Sequence, residues 1–145
     1  MPVGRLWQRT HAFSRMYNPL VDLVTLFSAL ADRTRLRILN ILSRGEVCVC
    51  YFVELLDETQ PKISRHLAYL RRAGVVTARR DGKWIHYSLV RPESPQLAAV
   101  LDSTLQAAAA ERQMQRDRLA LERTCCAVKL PAALEHAPRP QINPA

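Results

Sequence analysis

The sequence predicts a mainly α-helical domain that carries a small β-hairpin. Apolar residues recur at three- and four-residue steps between residues 20 and 72, which is the periodicity of helices with one buried face. The period falls to two in VVTARRDGKWIHYSLV, residues 75–90, which is the alternation expected of β-strands. Two helices joined by a short turn and followed directly by a hairpin form a winged helix-turn-helix.

Two helices are predicted before the helix-turn-helix. The first begins after Pro19 and has one apolar face, which consists of Leu20, Leu23, Val24, Phe27 and Leu30. Asp32 is a favourable N-cap and predicts the start of the second helix. Gly45 predicts the end of that helix, because glycine readily adopts the left-handed conformation that follows many helices.

The helix-turn-helix is predicted over residues 48–74. A short apolar helix, about Cys48 to Leu56, is followed by the polar break DET. Thr59 is a suitable N-cap for the next helix, QPKISRHLAYLRRAG, which stops at Gly74. That second helix has a single apolar stripe, formed by Ile63, Leu67 and Leu70.

The hairpin is predicted to turn at Asp81-Gly82, a dipeptide that favours a two-residue type I′ turn. The apolar residues of the two strands then share one face of the hairpin: Val76, Ala78, Ile85 and Tyr87. Arg79 falls on the opposite face, and Arg80 and Lys83 flank the tip. The hairpin is therefore a basic wing.

A long helix is predicted over roughly residues 96–122, beginning after Ser94-Pro95. Its apolar stripe is longer than a small domain can cover, which predicts a dimerisation helix that pairs with the helix at 20–30. From Leu130 onward the chain is rich in proline, so we expect it to lack fixed structure.

The composition of the chain indicates a polyanionic partner. Lys and Arg outnumber Asp and Glu 21 to 13, which gives a formal charge of +8. There is no apolar run long enough for a membrane span and no apolar segment typical of a signal peptide. We therefore expect a cytoplasmic protein without a membrane partner, in which the four cysteines are thiols or metal ligands rather than disulfides.

The basic residues of the predicted winged helix form a candidate surface for double-stranded DNA. Side chains in the first turns of a recognition helix reach base edges in the major groove, and here these are Gln60, Lys62, Ser64 and Arg65. The basic residues of the wing would contact phosphates or the minor groove: Arg79, Arg80 and Lys83. The alternative is that these charges only solvate an exposed helix and hairpin.

Nothing in the sequence indicates an enzyme. There is no glycine-rich phosphate loop, no HExxH motif and no plausible Ser/His/Asp set. Cys48 and His66 fall on two different predicted helices, each of which has its own structural role in the helix-turn-helix. This disfavours a catalytic pair in which His66 activates Cys48 as a nucleophile.

Four segments together resemble the ArsR/SmtB family of metalloregulatory repressors, and in detail its arsenical-resistance members. They are LADRTRLRILNIL, GEVCVC, TQPKISRHLAYLRRAGVV and RRDGKWIHYSL, and the resemblance covers about residues 20–90. It implies a homodimer that binds an inverted-repeat operator and leaves it when a ligand binds. In the best-known arsenic-sensing pattern a third cysteine follows three residues after the CVC pair, but this sequence has Val53 there.

Beside this resemblance, the cysteines predict a thiolate site for trivalent arsenic or antimony. Trivalent arsenic prefers three soft sulfur donors, and Cys48 and Cys50 supply two of them. We expect Cys125 or Cys126 to complete the site, from the same subunit or its partner. Residues two apart on a helix point about 200° away from each other. Ligand capture is therefore expected to require, or to impose, an unwound start of the helix at 48–56.

Several alternatives remain open from the sequence. Cys48 and Cys50 could be buried small apolar residues. The same scaffold could be a redox or persulfide sensor, in which Cys48 or Cys50 forms a disulfide or polysulfide with Cys125 or Cys126. It could also sense cadmium or lead through four thiolates, or bind DNA without any ligand.

These patterns predict three regions. Residues 1–18 form an N-terminal arm, and residues 19–123 form the winged helix-turn-helix domain for DNA binding and dimerisation. Residues 124–145 form a tail that contains the adjacent cysteines and most of the late prolines.

Overall fold

The structure, a computed structural model, describes residues 21–143, so the predicted arm at 1–18 lies outside the described residues. The helices are α1 Leu23–Leu30, α2 Arg33–Leu42, α3 Val49–Leu56, α4 Gln60–Arg72, α5 Pro95–Ala109 and α6 Arg112–Cys126. The strands are β1 Gly45–Cys48, β2 Val76–Asp81, β3 Trp84–Leu89 and β4 Gln141–Ile142, with a short 3₁₀ helix at Ala132–Leu134.

Aspartate side chains fix the starts of the first two helices. The Asp22 carboxylate accepts a hydrogen bond from the Thr25 amide at 2.7 Å, so α1 begins at Leu23, three residues later than the apolar pattern alone indicates. Asp32 caps α2 as predicted and accepts a hydrogen bond from the Arg35 amide at 2.9 Å. Thr59 occupies the N-cap position of α4, but its hydroxyl makes no capping hydrogen bond.

The predicted helix-turn-helix and hairpin are both present, which confirms the winged-helix fold class. Helices α3 and α4 pack against each other, and the whole predicted stripe of α4 is buried: Ile63, Leu67 and Leu70. The predicted face of the hairpin is confirmed, since Ala78 pairs with Tyr87 and Arg79 lies on the opposite face. The turn is one residue later than predicted, because Asp81 pairs with Trp84 and leaves Gly82 and Lys83 at the tip.

The sheet is larger than a hairpin. Its strand order is β2-β3-β1-β4, so β1 pairs with the wing on one side and with the C-terminal strand β4 on the other. Gly45 does not end α2 but opens β1 with φ +151°, a conformation that side chains disfavour. A Cβ atom at Gly45 would collide with the Gln141 carbonyl oxygen, so this glycine permits the close approach of β4.

The predicted long helix is two helices. It breaks at Ala110 and Glu111, where the Glu111 backbone is extended, and α6 turns back to pack along α2. The Arg37 guanidinium binds the Asp117 carboxylate through two hydrogen bonds of 2.8 and 2.9 Å, and Asp117 is almost fully buried. These polar contacts stabilise the position of α6 against α2. No proline or glycine marks the break between α5 and α6 in the sequence.

The expectation that the chain lacks fixed structure from Leu130 onward is wrong. Leu134 is fully buried beside α3, and Ala137 is also buried. The Asn143 amide donates a hydrogen bond to the Arg44 carbonyl at 2.7 Å beyond the end of β4. The prolines therefore break regular structure without preventing these few apolar residues from docking the tail.

Helix α1 exposes an apolar surface. Val24 is 74% exposed, and Phe27 and Leu23 are 52% and 49% exposed. They are three of the five residues on the apolar face that the sequence predicts for this helix, whereas Leu30 of that face is buried. No helix among residues 21–143 is both long enough and apolar enough to cross a membrane.

Candidate functional site

The cysteines of the CVC motif lie at the junction between β1 and α3. Cys48 ends β1 and is the N-cap of α3, with an extended backbone, whereas Cys50 is in the first turn of the helix. This change of backbone direction brings the two sulfur atoms to 3.1 Å. The helix therefore begins one residue later than predicted: Cys48 lies outside it in extended backbone, and the two sulfur atoms face each other without further unwinding.

A hydrogen bond from the Cys50 thiol to the Cys48 sulfur joins the two cysteines. A hydrogen bond from the Cys50 thiol lowers the pKa of Cys48 to about 6, against the opposing effect of burial, and nearby amides and His86 lower it further. The same hydrogen bond, together with burial, raises the pKa of Cys50. At neutral pH the pair is one thiolate and one thiol, which supplies one sulfur ready to attack an electrophilic ion.

The pair is connected to the wing through one face of the sheet. Cys48 pairs with His86 across β1 and β3, and His86 pairs with Arg79 across β3 and β2. His86 is buried, and its Nδ1 atom lies 3.8 Å from the Glu46 carboxylate. That carboxylate accepts hydrogen bonds from Arg79 at 2.6 Å and from Ser88 at 3.2 Å. Cys48 therefore lies next to His86, and His86 lies next to the Glu46 carboxylate that binds Arg79.

The second pair of cysteines is at the end of α6. Cys125 packs against the core, where burial raises its pKa, whereas Cys126 is exposed. The buried Tyr51 is close enough to Cys125, Cys50 and Cys48 to feel their charges, and burial followed by the Cys125 charge raises its pKa to about 12. Arg139 donates a hydrogen bond to the Cys125 carbonyl at 2.7 Å.

The structure brings together Cys48 and Cys50 but not the four cysteines. Within residues 21–143 no three His, Cys, Asp or Glu side chains are grouped closely enough to hold a metal ion. A third protein sulfur at the CVC pair would require movement of the α6 end or a contribution from a partner subunit.

The predicted DNA surface is exposed and basic. On α4 the side chains of Gln60, Ser64 and Arg65 are exposed, and Lys62 binds Glu58 at 2.6 Å. On the wing Arg80 donates to the Gly82 carbonyl at the tip, and Lys83 lies over the Trp84 ring at 4.9 Å. Arg79 is 54% exposed while it binds Glu46. All seven predicted contact residues thus lie on α4 or the wing.

A cleft of about 460 Å³ beside α4 adds two arginines that the sequence reasoning did not select, Arg35 and Arg72. Arg35 stacks over the Tyr69 ring at 4.2 Å and also donates to the Ala29 carbonyl at 2.8 Å. Helical periodicity places Arg35 away from the apolar face of α2, but only the packing of α2 against α4 shows that it borders the recognition helix.

A winged helix with a basic recognition helix and a basic wing defines a DNA-binding regulator. The family described as "Bacterial regulatory protein, arsR family" matches residues 32–78. The chain belongs to this ArsR family of transcriptional regulators, which are not enzymes.

The similar proteins agree with that family. The arsenical resistance operon repressor of Escherichia coli K12 is 53% identical over 77 residues, which are 52% of this chain and 65% of that protein, just under two thirds of its length. The arsenic resistance transcriptional regulator ArsR2 of Pseudomonas putida is 49% identical over 84 residues, 57% of this chain and 72% of that protein. The solved structure of HlyU from Vibrio cholerae N16961 is 32% identical with a TM-score of 0.50, and covers 58% of this chain and 88% of that one.

Proposed function

We propose that this protein is a homodimeric repressor that binds operator DNA and is released when trivalent arsenic or antimony binds its cysteine thiolates. The observation that carries the proposal is the Cys48–Cys50 pair, whose sulfur atoms lie 3.1 Å apart at the start of the helix-turn-helix. The names of the Escherichia coli and Pseudomonas putida relatives, which concern arsenical resistance, support the same class of inducer.

DNA binding follows from the basic surface. Arg65 and Gln60 are exposed on α4 and would hydrogen-bond base edges, with Lys62 and Ser64 beside them. Arg79, Arg80 and Lys83 on the wing then contact phosphates, which adds affinity without selecting a sequence. Two such surfaces related by a two-fold axis read the two halves of an inverted repeat.

The homodimer follows from the exposed apolar face of α1. Leu23, Val24 and Phe27 are each about half exposed or more, which is costly for an isolated subunit. Helix α5 packs beside α1, so the two helices together offer one continuous surface to a second copy. Burial of this surface positions the two recognition helices.

The ion site consists of Cys48, Cys50 and one thiol from the α6 end, Cys125 or Cys126. Arsenite has three exchangeable oxygens, and each thiol that binds arsenic replaces one of them with loss of water. The third thiol reaches the pair by movement of the α6 end or comes from the partner subunit. Tyr51 of α3 feels the charges of both Cys125 and Cys50, so movement of the α6 end would act on α3.

Release follows from the position of Cys48 at the β1–α3 junction. Arsenic bonds replace the hydrogen bond between the two sulfur atoms and fix their separation, which displaces the start of α3. Helix α3 packs on α4, and Cys48 pairs with His86 beside Arg79. The recognition helix and the wing both lose their DNA-bound positions.

A thiol redox switch is the second candidate, because the same 3.1 Å separation favours a disulfide. A peroxide would take two electrons from the two thiols to form the disulfide and be reduced to water. The lowered pKa of Cys48 supplies the attacking thiolate.

One release experiment tests the proposal. Fluorescence anisotropy of a labelled operator is measured during titration with arsenite or peroxide, for the wild type and for Cys48→Ser, Cys50→Ser and the Cys125→Ser/Cys126→Ser double variant. We expect arsenite release by the wild type, loss of release in both single variants and a weaker response in the double variant. Release by peroxide alone would support the redox candidate, and unchanged arsenite release in Cys48→Ser would contradict the proposal.

A further inference from the structure

A second polar cleft lies away from both the thiol pair and the DNA surface. It has a volume of about 410 Å³ and is formed where the end of α2 meets the segment after β3 and helices α5 and α6. The length of α2, roughly 15 Å, separates this cleft from Arg35 at the start of α2, which borders the recognition helix. Three of the lining residues are arginines: Arg44, Arg91 and Arg118.

The positive charge of this cleft exceeds the negative charge. Arg91 binds Asp102 at 2.9 Å, and Arg44 binds Glu122 at 3.0 Å. Arg118 binds only neutral acceptors among the described residues, the Asn40 amide oxygen at 2.7 Å and the Ser43 hydroxyl at 3.0 Å. Among the described residues, the Arg118 guanidinium is therefore left without a carboxylate in hydrogen-bond contact.

Two further observations indicate that an anion would relieve this arrangement. The Arg44 Nε atom is buried and has no hydrogen-bond partner among the described residues, which is unusual for a charged group. Burial lowers the pKa of Arg118, and the adjacent Arg44 charge lowers it further, while the Glu122 charge raises it. The unpartnered Nε atom and the repulsion between Arg44 and Arg118 describe a site with more positive charge than its protein partners compensate.

We propose that the cleft lined by Arg44, Arg91 and Arg118 binds a tetrahedral oxyanion such as inorganic phosphate. Guanidinium groups present several N–H donors in a fixed plane and match the oxygen atoms of phosphate in pairs. Neither Arg44 nor Arg118 uses all its N–H donors in contacts with the protein. The anion would bridge the end of α2, the segment after β3 and α6, and its binding requires neither operator DNA nor a thiol ligand.

Isothermal titration of the full chain with inorganic phosphate, at constant ionic strength and without DNA, tests this site. We expect one phosphate per wild-type subunit and an affinity loss of about tenfold or more in Arg118→Gln, because a charge-assisted hydrogen bond is removed. Arg91→Gln is a second test, since Arg91 is largely exposed and its loss leaves the α2–α6 contacts intact. Arsenate and sulfate titrations then show whether charge and size select the anion.

Two matched variants decide between a site and a general attraction. Arg116→Gln removes the same charge from an exposed position on the same helix as Arg118, and we expect no change in phosphate affinity. Asp102→Asn removes the carboxylate that occupies Arg91, and we expect tighter binding. No measurable binding by the wild type, an equal loss in Arg116→Gln, or competition by operator DNA would each overturn the proposal.

Discussion

The sulfur atoms of Cys48 and Cys50 lie 3.1 Å apart across the start of α3, with Cys48 outside the helix and Cys50 within it. A helix alone would separate side chains at this spacing, and a strand alone would place them on one face without a helix terminus nearby. The junction supplies both a short separation and amide groups that favour a thiolate. The reactivity of the pair follows from this geometry.

The first prediction concerns the pH dependence of the thiol pair. The pKa of Cys48 is lowered to about 6 from an ordinary 9.0, so its thiolate forms above pH 6 and is lost as the pH falls through that value. Thiolate absorbance in the ultraviolet should show a titration near pH 6 in the wild type and none near that pH in Cys48→Ser.

The Cys50→Ala variant tests whether the hydrogen bond from Cys50 causes the lowered pKa of Cys48. Alanine cannot donate the hydrogen bond that is the largest cause of the shift, so the transition should move to higher pH. A low transition that persists in Cys48→Ser would assign the thiolate to another cysteine.

The second prediction concerns the buried ion pair that holds α6 against α2. Asp117→Asn leaves Arg37, which is 16% exposed, without its carboxylate partner. We expect the free energy of unfolding in urea to fall by about 3 kcal/mol at fixed protein concentration. Glu111→Gln breaks the exposed pair with Arg33 and should cost about 1 kcal/mol or less. Equal losses in the two variants would contradict the structural role of Asp117.

The third prediction concerns the docking of the C-terminal tail. Gly45→Ala places a methyl group against the Gln141 carbonyl oxygen, so β4 should detach from β1. Hydrogen exchange should then accelerate at the Asn143 amide, which donates to Arg44. Gly82→Ala is the matched control, because Gly82 also has positive φ but has open space around it. Equal acceleration in the two variants would show that the tail does not depend on the close approach at Gly45.

The fourth prediction separates base contacts from phosphate contacts. Lys83→Gln should weaken binding to all sequences and reduce the slope of log affinity against log salt by about 1. Arg65→Gln should cost about 1–3 kcal/mol on the selected operator and relax the base preference at one position. Arg116→Gln on α6 should leave both quantities unchanged. A uniform loss across sequences in Arg65→Gln would move that residue to the phosphate contacts.

The sequence predicts the elements whose signals are local. The Asp32 cap, the buried stripe of α4 and the faces of the wing all depend on residues that are close in sequence, and all three are confirmed. The ends of elements are less well predicted. The hairpin turn lies one residue later than predicted, at Gly82 and Lys83. A turn at either dipeptide keeps the same apolar residues on one face of the hairpin, so the alternation of the strands does not distinguish the two positions.

Contacts between distant residues explain what the sequence does not predict. The break before α6 is stabilised by Arg37 with Asp117 and by Asn40 with the Met114 carbonyl, pairs more than seventy residues apart. None of these residues stands out in the sequence by itself. The 3.1 Å separation of Cys48 and Cys50 has the same origin, since it depends on β1 pairing with β3 up to Cys48.

X-ray absorption at the arsenic edge of the arsenite-loaded protein tests the central claim most directly, because it counts the sulfur atoms bound to arsenic. We expect three sulfur neighbours in the wild type and two in the Cys125→Ser/Cys126→Ser variant, with oxygen in the third position. Arsenic added to the Cys48→Ser/Cys50→Ser variant should show no paired sulfur neighbours. An unchanged sulfur count in that last variant would contradict the assignment of the site to the β1–α3 junction.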